Sequence, residues 1–328
     1  MSMIDERAAL EPAMQEKFAS REIITEGFAE HGYICTTRVA TAMYLAQHLG
    51  KPILVEGPAG VGKTELARTA SEYLDLPLTR LQCYEGLDES KALYEWKYAK
   101  QLLYTQVLKD RLGEILRGSD SLEASLERLQ GFDDIFFSEQ FLEPRALLAA
   151  LRHEHGGVLL IDEIDKADEE FEAFLLEVLA DFQVTIPEIG TIRANVKPLV
   201  ILTSNNTREM SDALKRRCLH LHIPFPDRKL EASIVAARLP NVSDTLNQQL
   251  VDFVQGLREL DLRKHPSVAE TIDWARTLLL MHADELGADI VRDTLNVLLK
   301  YEDDIGTAEK DLSKLLAAAR GQSTLRSA

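Results

Sequence analysis

A chain of 328 residues with 45% apolar content can bury a large core and divide into two domains, which excludes a disordered polypeptide. Its 37 basic residues against 54 acidic ones give a net charge of −17, which weighs against a body that coats nucleic acid or anionic membrane. No apolar run approaches the ~20 residues of a membrane span, and Met1 to Lys17 lacks the hydrophobic block of a secretory signal. Cys35, Cys83 and Cys218 are isolated and odd in number, which predicts small buried apolar residues in a reducing cytoplasm.

In chain order, Glu11 to Glu30 predicts an amphipathic helix and Thr37 to Leu49 a second, stopped by Gly50-Lys51-Pro52. Pro52-Ile53-Leu54-Val55-Glu56 reads as a buried parallel strand, and Glu65 to Ala70 as a helix. Between them lies Gly57-Pro58-Ala59-Gly60-Val61-Gly62-Lys63-Thr64, a complete phosphate-binding loop. Leu78 to Cys83 is a second strand. The long segment Tyr84 to Arg145 that follows contains Tyr94, Trp96 and Tyr98 at strand spacing. It continues with helical periods over Leu102 to Arg117 and Leu122 to Leu129. Glu143-Pro144-Arg145 predicts the start of a helix running to about His153, ended by Gly156-Gly157. Val158 to Glu163 is an apolar strand closing in two acids, and Phe171, Phe174, Leu175, Val178 and Leu179 mark one apolar helix face. Phe182 to Ala194 reads as a hairpin, and Leu199 to Thr203 and Cys218 to Ile223 as two more strands. Pro224 and Pro226 set a boundary, after which four or five helices are expected, one opened by the capping box Ser267-Val268-Ala269-Glu270.

The chemistry follows from the context. Glycines let successive N–H groups of Gly57, Pro58, Ala59, Gly60, Val61 and Gly62 (proline excepted) turn inward on phosphate oxygens, and the helix N-terminus behind them adds its dipole. Lys63 is expected on the β/γ-phosphates and the Thr64 hydroxyl on Mg²⁺, with Glu65 following. The four fixed positions would occur by chance in about one chain of this length in a hundred. Carboxylates at the carboxyl end of a buried strand lie where α/β folds place ligands. Asp162 is therefore a candidate to support the metal and Glu163 a candidate base toward water. The acids beyond them are read as a solvated helix start. His153-Glu154-His155 lacks the i, i+4 histidine pair of a zinc helix and is read as a loop, and His220 and His222, on one side of a strand, are read as packing and not as metal ligands.

Phosphate loop, acidic strand, a strand ending in Ser204-Asn205, the basic Lys215-Arg216-Arg217 and a helical tail stand in the order of an AAA+ ATPase. The spacing and the long element between the second strand and Val158 resemble the MoxR group, and the wording Leu202 to Glu209 with Leu214 to Cys218 is similar to one subgroup of it. The resemblance extends to the subgroup encoded beside carbon monoxide dehydrogenase and von Willebrand factor A proteins. It implies an α/β P-loop NTPase fold: an αβα core with a parallel five-stranded sheet, order 5-1-4-3-2, and a C-terminal α-helical lid. Residues 1–225 would form the nucleotide-binding domain, with an insert at about 84–143 and a hairpin at 182–194, and residues 226–328 the lid. The resemblance implies Asn205 as the residue orienting water and Arg217, or its neighbour Arg216, as an arginine finger reaching a neighbouring subunit. It implies Tyr33 and Ile34 as adenine contacts. At the start of the third lid helix, where the family usually has a sensor arginine, stands Glu270; either Arg263 or Lys264 substitutes from the preceding loop, or lid sensing is weak.

The expectation is therefore hydrolysis of Mg-ATP by a ring, most simply a hexamer. The work done would be remodelling of a client metalloenzyme with a von Willebrand factor A partner. Three rivals stand beside it: a nucleotide-gated binding protein with negligible turnover, a nucleic-acid motor, and a kinase, disfavoured because the paired Asp162-Glu163 fits water better as the acceptor. The acidic charge disfavours the second.

Overall fold

The computed structural model describes residues 16–115 and 138–321, with backbone only for 108–115. Its centre is a five-stranded parallel sheet: β1 (Ile53–Glu56), β2 (Leu78–Gln82), β3 (Val158–Asp162), β4 (Leu199–Ser204) and β5 (Leu219–His222). The spatial order is β2-β3-β4-β1-β5, the expected 5-1-4-3-2 seen from the other edge. The three inner strands are buried at every residue, as their unbroken apolar runs require. The edge strands β2 and β5 carry a mixed, partly exposed pattern.

The period of two sorts the sheet's side chains between two cores. Ile53, Val55, Leu160 and Ile201 face one core, packed against α1 (Arg21–Glu30), α2 (Thr37–Leu49) and α3 (Lys63–Leu74). Leu54, Leu159, Ile161 and Leu202 face the other, against α6 (Ala146–Arg152), α7 (Glu169–Asp181) and α8 (Asp212–Arg217). Helices therefore cover both faces of the sheet, and every β-to-α turn opens at one edge, where the site lies.

Between β2 and β3 come α4 (Glu89–Leu93), a strand Tyr94–Trp96 and α5 (Tyr98–Ile115). Tyr94–Trp96 pairs antiparallel with Leu142–Pro144, which brings the two ends of the insert together. Here the structure corrects the sequence reading. Glu143 and Pro144 belong to that ladder and the helix begins only at Ala146. The residue before a proline is pushed to extended backbone, so Glu143 suits a strand better than a helix start. Tyr98, expected in line with Tyr94 and Trp96, opens α5 instead. The helical period over Leu122 to Leu129 lies outside the described residues. A second correction concerns the first helix. The chain breaks at Ser20, whose hydroxyl accepts from Ile23 N–H and caps a fresh helix α1.

The hairpin Gln183–Ile186 with Gly190–Arg193 forms as expected. Beyond Pro226 the described residues form six helices, not four or five: α9 (Arg228–Arg238), α10 (Asp244–Arg258), α11 (Val268–Leu280), α12 (Ala288–Leu298), α13 (Glu302–Lys310) and α14 (Leu312–Ala319). The additional break falls at Asp311, which ends α13 and opens α14 without a side-chain cap. These helices enclose a core of their own around Phe253, Trp274 and Leu295. In the middle of it Glu231, fully buried, takes a two-pronged ion pair from Arg258 (2.7 Å to each oxygen) and further bonds from Gln255 and Thr271. Arg258 also donates to Pro266 O and stacks 4.8 Å from the Phe225 ring. One buried charge pair thereby joins α9, α10, α11 and the connecting segment.

Candidate active site

The loop 57–62 turns at the carboxyl end of β1, and its glycines are needed there for space. A Cβ on Gly57 would stand 2.1 Å from Ile223 O, and one on Gly60 would stand 2.3 Å from Ser267 Oγ. Gly60 and Gly62 are also left-handed (φ 73° and 94°), a conformation open to glycine at no steric cost. Gly62 caps α3, so the free N–H groups and the positive dipole end of that helix face the loop.

Lys63 is buried, and its ammonium donates to Gly57 O and Pro58 O (2.7 Å each) and to Asn205 Oδ1 (2.8 Å). Burial pushes its pKa below the ordinary lysine value, against the pull of Asp165, Asp162 and Glu163. Thr64 Oγ1 donates to Asp162 Oδ1 at 3.1 Å, and Thr203 Oγ1 reaches the same oxygen at 2.5 Å. Glu163 follows directly with φ 56° and ψ 50°, a left-handed turn that swings its side chain out of the strand register. Its N–H is held by Thr203 Oγ1 (2.9 Å). Its carboxylate accepts from Lys166 (2.6 Å), Gln82 (2.8 Å) and Asn205 Nδ2 (3.3 Å). The bond to Glu163 raises the Lys166 ammonium above its ordinary value.

Asn205 is fixed from behind. The buried Asp165 carboxylate accepts from the N–H groups of Asn205 and Thr207 (3.2 and 3.0 Å) and from the Thr207 hydroxyl (2.6 Å). Burial alone would raise the Asp165 pKa; these bonds outweigh it and hold the carboxyl below its ordinary value. Glu172, also buried, pairs with Arg208 and accepts from Ser211 N–H (3.0 Å), which ties α7 to the segment leading into α8.

Lys63, Thr64, Asp162, Glu163, Thr203 and Asn205 border a cleft of about 820 Å³ between the sheet edge and helices α9 and α11, a size that suits a nucleotide. The cleft is lined by Ala59 to Glu65, Asp162, Glu163 and Asn205, and at its other end by Tyr33 and Ile34. The Tyr33 hydroxyl is raised above its ordinary pKa, chiefly by burial. Arg217 and Arg216 are not in it: both are exposed on α8, and Arg217 donates to Leu176 O of α7 at 3.0 Å. Arg263 and Lys264, the suggested substitutes in the lid, do not line the cleft either. Arg263 stacks on Tyr301 at 4.1 Å and Lys264 pairs with Glu270 at 3.2 Å. Glu270 completes the expected capping box with Ser267. What that helix start does instead is touch the phosphate loop: Ala269 N–H donates to Gly60 O (3.2 Å).

The sequence reading missed four arginines of the cleft, Arg38, Arg80, Arg238 and Arg276. Arg238, at the end of α9, pairs with Glu65 on α3. Arg80 pairs with Asp162. For Arg80 a signal existed: Arg80 and Gln82 are two apart on a strand, hence on one side of it, beside the strand that ends in the two acids. Of the cysteines, Cys83 and Cys218 are buried and Cys35 half-buried, each thiol pushed up to about 12 mainly by burial.

Residues 52–218, just over half of the chain, match the AAA domain (dynein-related subfamily). The chain belongs to that family. The match runs from the residue before β1 to the residue before β5, and so spans the phosphate loop, both acids and Asn205. Among curated proteins, this AAA domain chain is 27% identical over 238 residues to an uncharacterized protein of Staphylococcus aureus strain USA300 and equally to one of strain NCTC 8325. Each match covers 70% of this chain and 76% of the relative. Among solved structures it is similar to the Thermotoga maritima RuvB Holliday junction branch migration motor (19% identity, TM-score 0.43, 85% of this chain and 72% of that one). It is also similar to a proline-to-glycine mutant of the same protein (20%, TM-score 0.45, 88% and 83%). At those TM-scores the likeness bears on neither substrate nor assembly. No helix among the described residues is long and apolar enough to cross a membrane.

Proposed function

We propose that the protein hydrolyses ATP with Mg²⁺. The observation that carries this is the meeting of Lys63, Thr64, Asp162, Glu163 and Asn205 from the ends of three adjacent strands around one glycine loop in a nucleotide-sized cleft. The residues fit the group they would hold. The loop packs this closely against Ile223 and Ser267 because Gly57 and Gly60 lack side chains, its N–H groups stand at the N-terminus of α3, and a hydroxyl beside a carboxylate is a hard-oxygen donor set. Mg²⁺, when bound, supplies charge to phosphate oxygens. Lys63 would contact the phosphates, Thr64 and Asp162 would hold and support the metal, and Glu163 would take the proton of the attacking water. Asn205, already bonded to both Lys63 and Glu163, would orient that water, since an amide can donate and accept. Tyr33 and Ile34 would lie against the base. Such chemistry is done by positioning and electrostatics.

Assembly belongs to the same proposal. Residues 1–225 would act as the nucleotide-binding domain and 226–328 as the lid. Arg217 or Arg216, exposed on α8, would reach the cleft of a neighbouring copy in a ring, most simply a hexamer. The MoxR-type reading, a cytoplasmic ATPase that remodels a metalloenzyme client with a von Willebrand factor A partner, draws support from the insert. Helix α5 exposes Tyr98, Leu102, Leu103 and Val107, a surface suited to another protein. A net charge of −17 speaks for a protein client over nucleic acid. A second reading, a nucleotide-gated binder that hardly turns over, is favoured by the three donors that already occupy the Glu163 carboxylate.

Phosphate release with Mg-ATP separates the two. Wild type should turn over, and Glu163→Gln should bind ATP but release phosphate about 10²–10⁴-fold more slowly. Equal rates in the two proteins would remove Glu163 as the base, and no release from wild type would leave the gated binder.

A further inference from the structure

Asp162 has more partners than support of a metal requires. Its Oδ1 accepts from two hydroxyls, Thr203 and Thr64. Its Oδ2 accepts from Arg80 through both Nε (3.0 Å) and Nη2 (2.6 Å). The register of β2 on β3 sets Gln82 opposite Asp162, so Arg80 stands two residues back with its long side chain reaching forward along the same side of the strand. Arg80 Nη2 also donates to Gln82 Oε1 (2.6 Å), and Gln82 in turn donates to Glu163. The edge strand thus delivers one side chain to each acid.

A strand-to-strand tie does not account for this arrangement. The Arg80 side chain is 53% exposed, and ion pairs that open to water contribute little to stability. It lines the cleft together with Lys63 and Thr64. We propose that Arg80 is a resident cation of the metal position. It shares the Asp162 carboxylate with the divalent ion that Thr64 and Asp162 would hold, and faces the nucleotide's phosphates as a second fixed positive charge beside Lys63. This inference rests on the nucleotide reading above and adds to it a residue that sets how strongly nucleotide binding depends on metal.

The consequence is a linkage. With Arg80 in place, Asp162 is already neutralised, so a triphosphate meets less repulsion without metal, and the metal gains less by competing for Oδ2. Replacing Arg80 by glutamine leaves Asp162 with hydroxyl partners and no cation. Triphosphate without metal should then bind more weakly, and the metal complex more tightly. A unit charge a few ångströms from phosphate, discounted for its half-exposed position, should change the metal dependence by about tenfold.

The test measures the dissociation constant of a fluorescent ATP analogue for the full chain, once in excess Mg²⁺ and once in excess EDTA. The ratio of the two constants should be about tenfold larger in Arg80→Gln than in wild type. Arg80→Lys, which keeps the charge but not the two-pronged contact, should fall between them. A folded Arg80→Gln with the wild-type ratio overturns the inference. Should that variant fail to fold, Arg80→Lys decides alone, and a wild-type ratio there overturns it equally. Wild type that binds no analogue in Mg²⁺ takes down the nucleotide reading and this inference together, whereas binding indifferent to Arg80 takes down only the latter.

Discussion

Arg258→Met probes the buried charge pair that joins α9, α10, α11 and the connecting segment. Arg258 is 8% exposed and Glu231 fully buried, with both guanidinium contacts at 2.7 Å. Removing the guanidinium leaves the Glu231 carboxylate with two neutral donors, Gln255 at 2.7 Å and Thr271 at 2.8 Å, and strips Pro266 O of its donor. An uncompensated buried charge costs about 3–5 kcal/mol. In urea, at an ordinary slope of a few kcal/mol per molar, that lowers the midpoint by on the order of 1–3 M. Trp274, buried in the same core 5.3 Å from Phe253, reports the transition by fluorescence, and Trp96→Phe removes the other tryptophan's signal. The partner experiment is the double replacement Glu231→Met with Arg258→Met, which removes both charges at similar volume and should cost roughly nothing or stabilise by about 1–4 kcal/mol. If the double variant is as unstable as the single, the cost was lost packing and the electrostatic reasoning is refuted.

Three further outcomes can be measured. Asp165 has a depressed pKa, so its contribution to stability is complete above the ordinary aspartate range of about pH 4 and is lost as pH falls through the lower folded value. Asp165→Asn should be about 1–3 kcal/mol less stable at neutral pH, with a flatter acid limb in midpoint against pH; parallel limbs would contradict the assignment. Gly60→Ala adds a Cβ 2.3 Å from Ser267 Oγ in a left-handed backbone, and should cost about 1–3 kcal/mol in thermal unfolding and loosen ATP binding. Unchanged binding would show that the loop tip and the start of α11 part without consequence. Alanine at Arg217 and at Arg216, tested singly, should leave ATP bound while one of them slows phosphate release by on the order of a thousandfold. For the proposed neighbour-to-neighbour finger, mixing that variant with Glu163→Gln should restore part of the rate; no recovery would argue against it.

The glycine loop, the five strands and the clear helices were legible in the sequence because each is a local pattern: fixed glycines, unbroken apolar runs, a stripe at i, i+3 and i+4. So was the grouping of Lys63, Thr64, Asp162, Glu163 and Asn205, since the strands that carry them are neighbours in the sheet order the resemblance implies. What escaped notice was set by contacts distant along the chain. Arg238 meets Glu65 across 173 positions, and Arg276 reaches the cleft only through the packing of α11. Arg80 acquires its significance from the β2–β3 register. Pro144 was misjudged because a proline can open a helix as readily as close a strand, and the choice fell to its antiparallel partner Tyr94.

The turn at Glu163 carries one more implication. A side chain other than glycine pays about 1–2 kcal/mol to sit in left-handed backbone, and this one does so in the step out of a fully buried strand. Heat tolerance selected blindly, with no screen for turnover, should therefore enrich glycine or asparagine at this codon. The survivors would outlast their parent in a melt and would have given up the carboxylate on which the chemistry is proposed to depend.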